Sequence, residues 1–231
     1  MRSKIVILTG AGISAESGIP TFRDAGGLWE GYNIYEVATP EGWKKNPTLV
    51  LDFYNQRRKG VRNAQPNEAH FALKKLEENF DVVIITQNID NLHEKAGSAK
   101  VMHLHGEILK AQSEKYPELV YELGEKDIKM GDVCEKGYQL RPNVVWFGEA
   151  VPMIESAMQE AATADIFMVI GTSMAVYPAA NLIYYVPAHA KKFIIDPNIP
   201  AGLNEKNLIK IPEKAAVGVP DLVDKLLSAE V

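Results

Sequence analysis

Cysteine is almost missing from this chain: Cys134 is the only one in 231 residues. No disulfide can close within it, and no zinc site can be assembled from four of its own thiolates. A reducing compartment is the simplest setting for such a composition. Long apolar runs are missing too. Met1-Arg2-Ser3-Lys4 passes directly into Ile5–Leu8, and the longest later run is Ile166–Ile170. Both are strand-sized, too short for a signal-peptide core or a membrane span. A soluble cytoplasmic protein without a membrane partner is expected. Basic charge is not in excess, since 25 Lys plus Arg stand against 30 Asp plus Glu, a net charge of −5. Such a chain is not built to coat nucleic acid, so any anionic ligand must be held by local geometry.

What the chain does have is enough apolar content, 46%, to exclude disorder as its main state. The apolar residues fall into short β-rich runs: Ile5–Leu8, Val82–Ile85, Val101–Leu104, Val144–Phe147, Ile166–Ile170, Phe193–Ile195 and Leu208–Ile211. Runs this apolar suit strands buried on both faces. Helix-period stretches lie between several of them, at Glu68–Glu78, Ile154–Ala164, Ala179–Val186 and Pro220–Ser228. This alternation predicts an α/β fold with a parallel sheet. Two stretches, Gly31–Asn63 and Leu109–Leu140, interrupt it and are expected to pack together as a small inserted domain. No repeat, low-complexity tract or linker is present, and a monomer is expected.

The first strand runs into Gly10-Ala11-Gly12-Ile13-Ser14-Ala15, a G-x-G-x-x-[GA] pattern where a dinucleotide fold needs it. The backbone there can approach a pyrophosphate, and the following helix start offers N–H groups. A dehydrogenase would place an acidic strand end about 20 residues further on. The chain instead reads Glu16-Ser17-Gly18-Ile19-Pro20-Thr21-Phe22-Arg23-Asp24, with Trp29 beyond it. A Gly- and Pro-rich loop of this kind suits a cofactor lid, with Arg23 for a phosphate and Phe22 for a ring face.

With Thr86-Gln87-Asn88-Ile89-Asp90-Asn91-Leu92-His93 and His103-Leu104-His105-Gly106 following in order, the sequence closely resembles the sirtuin family. The resemblance continues through Val145-Trp146-Phe147-Gly148-Glu149, Gly171-Thr172-Ser173 and Val176-Tyr177-Pro178-Ala179, covering nearly the whole chain. It implies a Rossmann-like lobe over about 1–30, 64–108 and 141–231, and a small lobe over about 31–63 and 109–140. It also implies NAD-dependent protein lysine deacylation. His105 would be the general base, with Asn88 and Asp90 as its catalytic companions. Gln87, Asn88, Ile89 and Asp90 would contact nicotinamide and ribose, Gly10–Trp29 would form the NAD loop, and Gly171, Thr172 and Ser173 would line the adenosine side. Ala215 falls at the adenine contact. Val145, Phe147, Gly148 and Glu149 resemble the edge that takes the acyl-lysine substrate as an added strand.

The chemistry asks for these residue types in its own right. Cleaving nicotinamide from ribose leaves a cationic centre that an acyl-lysine amide oxygen can capture, and a base must then activate a ribose hydroxyl. Imidazole suits that role near pH 7. Asp90 can bind the nicotinamide carboxamide, and Asn88 can orient a water or a ribose hydroxyl. His70 and His189 read as structural; His103 and His105 alternate at a strand end, and only the family resemblance selects His105. A binding module without turnover and a protein ADP-ribosyltransferase remain alternatives.

Two departures from the family stand out. Its paired Cys-x-x-Cys motifs are replaced by Ser113-Glu114-Lys115-Tyr116 and Cys134-Glu135-Lys136-Gly137, so no zinc is expected. Tyr116, Leu119, Val120, Tyr121, Leu123, Ile128 and Met130 are expected to form a miniature core instead. Asp196 stands where the family usually has an Asn that contacts ribose. Separately, Tyr54-Asn55-Gln56-Arg57 resembles the Tyr-x-x-Arg signature of sirtuins that remove succinyl and malonyl groups. On a helix, Tyr54 and Arg57 are i,i+3 neighbours and can share a pocket; taken alone, Arg57-Arg58-Lys59 would be an exposed basic face.

Overall fold

In the computed structural model, residues 2–21, 28–29, 31–203 and 205–228 are described. The chain order is β1 (Lys4–Thr9), α1 (Gly12–Ala15), β2 (Leu28–Trp29), β3 (Tyr32–Asn33), α2 (Ile34–Val37), α3 (Pro40–Lys45), α4 (Pro47–Asn63) and α5 (Glu68–Leu76). Next come β4 (Asp81–Thr86), α6 (Leu92–Lys95), β5 (Val101–His103), β6 (Gly106–Ser113), β7 (Val120–Glu122) and β8 (Leu140–Val144). The chain finishes with α7 (Ile154–Ala161), β9 (Ile166–Ile170), a 3-10 helix (Ala179–Tyr185), β10 (Lys191–Ile195), β11 (Leu208–Ile211) and α8 (Ala215–Leu227).

Six strands make one parallel sheet in the order β11-β10-β9-β1-β4-β5. Its two faces follow from the period of two along each strand. Ile5, Ile7, Val82 and Ile84 face α5 and α8 in one core, while Val6, Leu8, Val83 and Ile85 face α7 and the 3-10 helix in a second. The chain leaves β1 towards β4 and β5 and later returns on its other side with β9 and β10, so the sheet's switch point lies between β1 and β9. Ligands of such sheets bind outside the carboxyl ends of the strands at that point. No helix among the described residues is long and apolar enough to cross a membrane.

Several elements depart from expectation. The Val144–Phe147 run does not join the parallel sheet; β8 ends at Val144 and pairs antiparallel with β6, which also pairs β7. The reason is alternation: Trp146 is buried, Val145 half-buried and Phe147 exposed, so the run has one inner face, unlike a central strand. The Ala179–Val186 stretch is 3-10 rather than α, and its buried pairs Ala179/Leu182 and Ala180/Ile183 recur at the spacing of three that this helix stacks. α8 begins five residues before Pro220, which lies inside it. A proline early in a helix forfeits one backbone bond, here to Ala216 near the half-exposed start.

A third core joins α2, α3 and α4 to β6, β8 and Trp146. Of the proposed miniature core, Ile128 and Leu123 pack into this cluster, whereas Val120 and Met130 are exposed. Aromatic and polar contacts hold the rest. Tyr116 and Tyr138 meet edge-to-face at 5.4 Å, with the Lys136 ammonium 3.8 Å above Tyr116 and that of Lys115 4.4 Å above Tyr138. Ser113 Oγ accepts from the amides of Lys115 and Tyr116 and from Cys134 Sγ, at 3.3–3.4 Å. A hydroxyl thus collects the amides of this turn and the one thiol beside it.

Among the described residues, no group of three or more His, Cys, Asp or Glu is placed to hold a metal ion. Elemental analysis of the purified protein should find no stoichiometric zinc, and its melting temperature should be the same with and without chelator. About one zinc per chain, released with unfolding, would refute this, because structural zinc supplies on the order of 10 kcal/mol of folding free energy.

Candidate active site

The site is built where β1, β4 and β9 end. Gly10 and Gly12 follow β1 and press directly on Gly171 and Thr172, which follow β9. A Cβ on Gly12 would lie 2.6 Å from Gly171 Cα, and one on Gly10 would lie 2.7 Å from Thr172 Cβ. Gly171 itself has φ +61°, where only glycine rests without strain. Two backbone bonds tie the turn down, Gly10 N to Ile170 O at 2.9 Å and Gly12 N to Gly171 O at 2.8 Å.

The segment after β4 is woven into this turn. Asn88 Nδ2 donates to Gly10 O at 3.2 Å and to Ser14 Oγ at 3.1 Å, and Ser14 Oγ donates to Asp90 Oδ2 at 3.0 Å. Asp90 Oδ1 accepts from the Leu92 amide, and Gln87 Nε2 donates to Thr172 Oγ1. Burial pushes the Asp90 carboxyl up from its ordinary range, against the pull of the Leu92 amide and Ser14. Gln87, Asn88, Asp90, Ser14, Gly10, Gly12 and Thr172 are therefore one cluster. Ile89 serves from the backbone, its carbonyl accepting from Ile108 N.

The remaining candidates fall around this cluster. Glu16 is turned away to accept from Ala216 N at the start of α8, beside Ala215, which fastens the glycine loop to that helix. Ala11, Ala15, Ser17, Gly18, Ile19, Pro20 and Thr21 continue the loop, with Ser17 Oγ accepting from Asn67. Phe22, Arg23 and Asp24 lie outside the described residues, and only the backbone of Trp29 is described. Ser173 is half-buried beside Thr172, and Asp196 is buried at the end of β10, where it accepts from Asn198 N. This donor set suits a dinucleotide: carboxamide and carboxylate groups near one end, hydroxyls and a buried acid at strand ends near the other.

The histidines separate by tautomer. His105 Nδ1 lies 2.9 Å from Gln87 O, and a carbonyl only accepts, so Nδ1 carries the proton and Nε2 keeps its lone pair. Burial holds His105 below its ordinary pKa, partly opposed by that carbonyl, so the ring is a neutral base near pH 7. His103 meets an acceptor at each nitrogen, Asn88 O at 3.0 Å and Glu94 Oε1 at 2.8 Å. Burial opposes its charge, but Glu94, the Asn88 carbonyl and Glu107 together outweigh burial and raise its pKa; with both nitrogens donating it has no lone pair to offer. His70 and His93 meet with ring centroids 4.9 Å apart and planes tilted by 58° inside the fold, and His93 Nε2 meets Thr9 at 3.0 Å.

The bend between β5 and β6 that bears His105 leads to the other candidates. Val145 N donates to His105 O and Phe147 N to Ala38 O, while Glu149 Oε2 accepts from Trp146 N. A cleft of about 390 Å³ beside this segment is lined by His103, Gly106, Val145, Glu149 and Met153; Gly148 carries the turn at φ +92°. Tyr54 and Arg57 are both buried on α4, one turn apart. Trp146 and Arg141 were missed from the sequence, although the alternation of Val145, Trp146 and Phe147 marks Trp146 as the inward member. Its Nε1 reaches Tyr54 Oη at 3.1 Å.

A parallel sheet with a glycine turn at its switch point and a neutral histidine beside it defines a dinucleotide-using enzyme fold. The Sir2 family model matches residues 10–178, and the chain belongs to that family. Among curated relatives, an "NAD-dependent protein deacylase" of Helicobacter pylori strain 26695 is 53% identical over 96% of this chain and 97% of its own length. One of the same description from Bacteroides thetaiotaomicron is 52% identical, covering 97% and 98%. Among solved structures, a Sir2 homolog–NAD complex superposes with a TM-score of 0.88 at 39% identity, covering 100% of this chain and 91% of that one. Sir2Tm bound to a propionylated peptide gives 0.78 at 30%, covering 99% and 94%.

Replacing His105 with Ala should lower deacylation kcat by about 10²–10⁴-fold, the usual loss with a general base, while the fold survives. Wild-type turnover in the purified variant would sink that role. The buried pair generates a separate expectation. Burial lowers His70 from 6.5 to about 4, against a weaker pull from Glu94, and burial with two neighbouring imidazoles lowers His93. The unfolded chain binds protons first, so stability is complete above pH 6.5 and is lost as pH falls towards 4. His70 alone should cost roughly 2 kcal/mol between pH 7 and 5. Urea unfolding at both values checks this, and His70→Gln should flatten the decline.

Proposed function

We propose that this chain is an NAD-dependent protein lysine deacylase that accepts acidic acyl groups, succinyl and malonyl, as well as acetyl. The observation that carries the deacylase reading is the Nδ1–H of His105 on the Gln87 carbonyl, which leaves a basic Nε2 next to the cluster of Asn88, Asp90 and Ser14. Bound NAD supplies a nicotinamide–ribose bond whose cleavage makes the ribose carbon electrophilic. His105 would take a proton from a ribose hydroxyl, Asp90 would hold the carboxamide, and Asn88 would orient a water or hydroxyl. The Gly10–Trp29 segment is assigned the exclusion of water, Gly171, Thr172, Ser173 and Asp196 would receive the adenosine portion, and Ala215 would meet adenine. Free lysine, nicotinamide and an O-acyl-ADP-ribose leave.

The peptide is read as an added strand along Val145, Phe147, Gly148 and Glu149, in keeping with the cleft beside them and with the peptide complex of the related structure. Support for the acidic acyl group comes from Tyr54 and Arg57 being buried side by side one turn apart. A guanidinium and a phenol together hold a carboxylate by charge-assisted hydrogen bonds.

Nicotinamide release, measured with and without an acyl-lysine peptide, tests the deacylase reading. Release that depends on peptide is expected; no release would leave a binding module, and label transferred to protein would make it an ADP-ribosyltransferase. Arg57→Met should cut kcat/KM on a succinyl-lysine peptide by on the order of 10²-fold, the loss of one bound charge pair, and on the acetyl peptide by much less. Equal losses would make Arg57 structural.

A further inference from the structure

Trp146 lies on the segment proposed to take the peptide, and its indole reaches Tyr54 of the proposed acyl-binding pair. Val145 and Phe147 turn one way, and Trp146 turns the opposite way into the third core, only 3% exposed. Its ring is clamped on two sides. The Arg141 guanidinium carbon lies 3.9 Å from the ring centroid, and Trp43 packs against it at 5.8 Å. Arg141 is itself held by Glu149, Nη2 to Oε1 at 2.9 Å, and the other oxygen of Glu149 accepts the backbone amide of Trp146 at 2.8 Å. An indole so fixed has one place for its N–H, and that place is Tyr54 Oη, 3.1 Å away in a buried bond.

An indole nitrogen can only donate, so Tyr54 accepts in this bond and its own proton must point elsewhere. Among the described residues no acceptor takes that proton. Burial also drives the phenol far above its ordinary pKa, outweighing the opposing pull of the Trp146 hydrogen bond and of Arg57, so Tyr54 remains a donor at any working pH. We propose that Trp146 is a positioning residue for acyl recognition: its N–H pins the Tyr54 oxygen so that the hydroxyl proton is presented, beside Arg57, to the carboxylate of a succinyl or malonyl group. This rests on the acidic-acyl reading above. Through Glu149 and Arg141 the same indole ties the segment that takes the peptide to the group that selects the acyl chain.

The test compares wild type, Trp146→Phe, Tyr54→Phe and the double variant on succinyl- and acetyl-lysine peptides of one sequence. Phe keeps an aromatic ring but removes the N–H together with part of the indole's volume, and the acetyl peptide reports the packing share of the loss. Trp146→Phe should raise the succinyl KM about 5- to 10-fold, the scale of one oriented hydrogen bond, and the acetyl KM by clearly less. In the Tyr54→Phe background the same change should add no succinyl-specific loss. Equal losses on both peptides, or a full additional loss on top of Tyr54→Phe, would make Trp146 a packing residue and overturn the proposal. A wild type that leaves succinyl-lysine untouched would defeat the acidic-acyl reading and this proposal together, whereas an active wild type with an unaffected Trp146→Phe would defeat this proposal alone. Independently, the Nε1–H proton resonance of Trp146, assigned by its disappearance in Trp146→Phe, should move upfield in Tyr54→Phe; no movement would rule out the bond.

Discussion

The contact on which the rest of the site depends is backbone against backbone: Gly10 and Gly12 at the end of β1 lie on Gly171 and Thr172 at the end of β9, at distances that leave no room for a Cβ. Because the two strands are already locked in register by the parallel ladder, this contact turns the carboxyl end of the sheet into a fixed wall. Asn88 can then reach both Gly10 O and Ser14, and Ser14 can reach Asp90. Loosening the glycine pair would move the acceptors and donors of the whole cluster together, not one residue at a time. The preorganisation needed for chemistry is thus stored in close packing of main chain, which needs no rearrangement when a ligand enters.

The sheet was legible because buried parallel strands announce themselves: Ile5–Leu8, Val82–Ile85 and Ile166–Ile170 each became a central strand. Val144–Phe147 looked the same in composition but not in geometry, since composition does not say that only Val144 and Trp146 face inward. The start of α8 was misplaced because Pro220 resembles an N1 residue, and only the contact of Gly218 with Ile195 and Ile211 reveals that the helix already packs before it. Among the site residues, the glycine turn and the Gln87–Asp90 segment carried recognisable patterns. The choice between His103 and His105 could not come from spacing. It is made by which acceptors surround each ring, and those come from Gln87, Asn88 and Glu94, which only folding brings near.

That distribution of partners gives four neighbouring imidazoles four different states. Each takes its own setting from those partners: His105 keeps a free lone pair, His103 donates from both nitrogens to two acceptors, His70 accepts from the Asn67 amide with burial lowering its pKa, and His93 lies against Thr9 with burial and two imidazoles lowering its pKa. The ring beside Glu94 anchors the Asn88 carbonyl, so the one histidine unsuited to proton abstraction still holds the segment that faces the ligand. Neighbouring residues of the same type are thereby divided between chemistry and support by their surroundings, as pairs of titratable groups commonly are in active sites.

The turn around Ser113 and Cys134 has a consequence for the conditions under which the enzyme works. Zinc held by four thiolates can be lost in two ways: the ion can be withdrawn by scarcity, or the thiolates can be oxidised to disulfides or sulfenic acids. Here a hydroxyl, two tyrosine rings and two ammonium groups do the holding, and the lone buried thiol has no second cysteine in the chain to pair with. Neither metal starvation nor thiol oxidants has a lever on this lobe of the kind they have on a four-cysteine site.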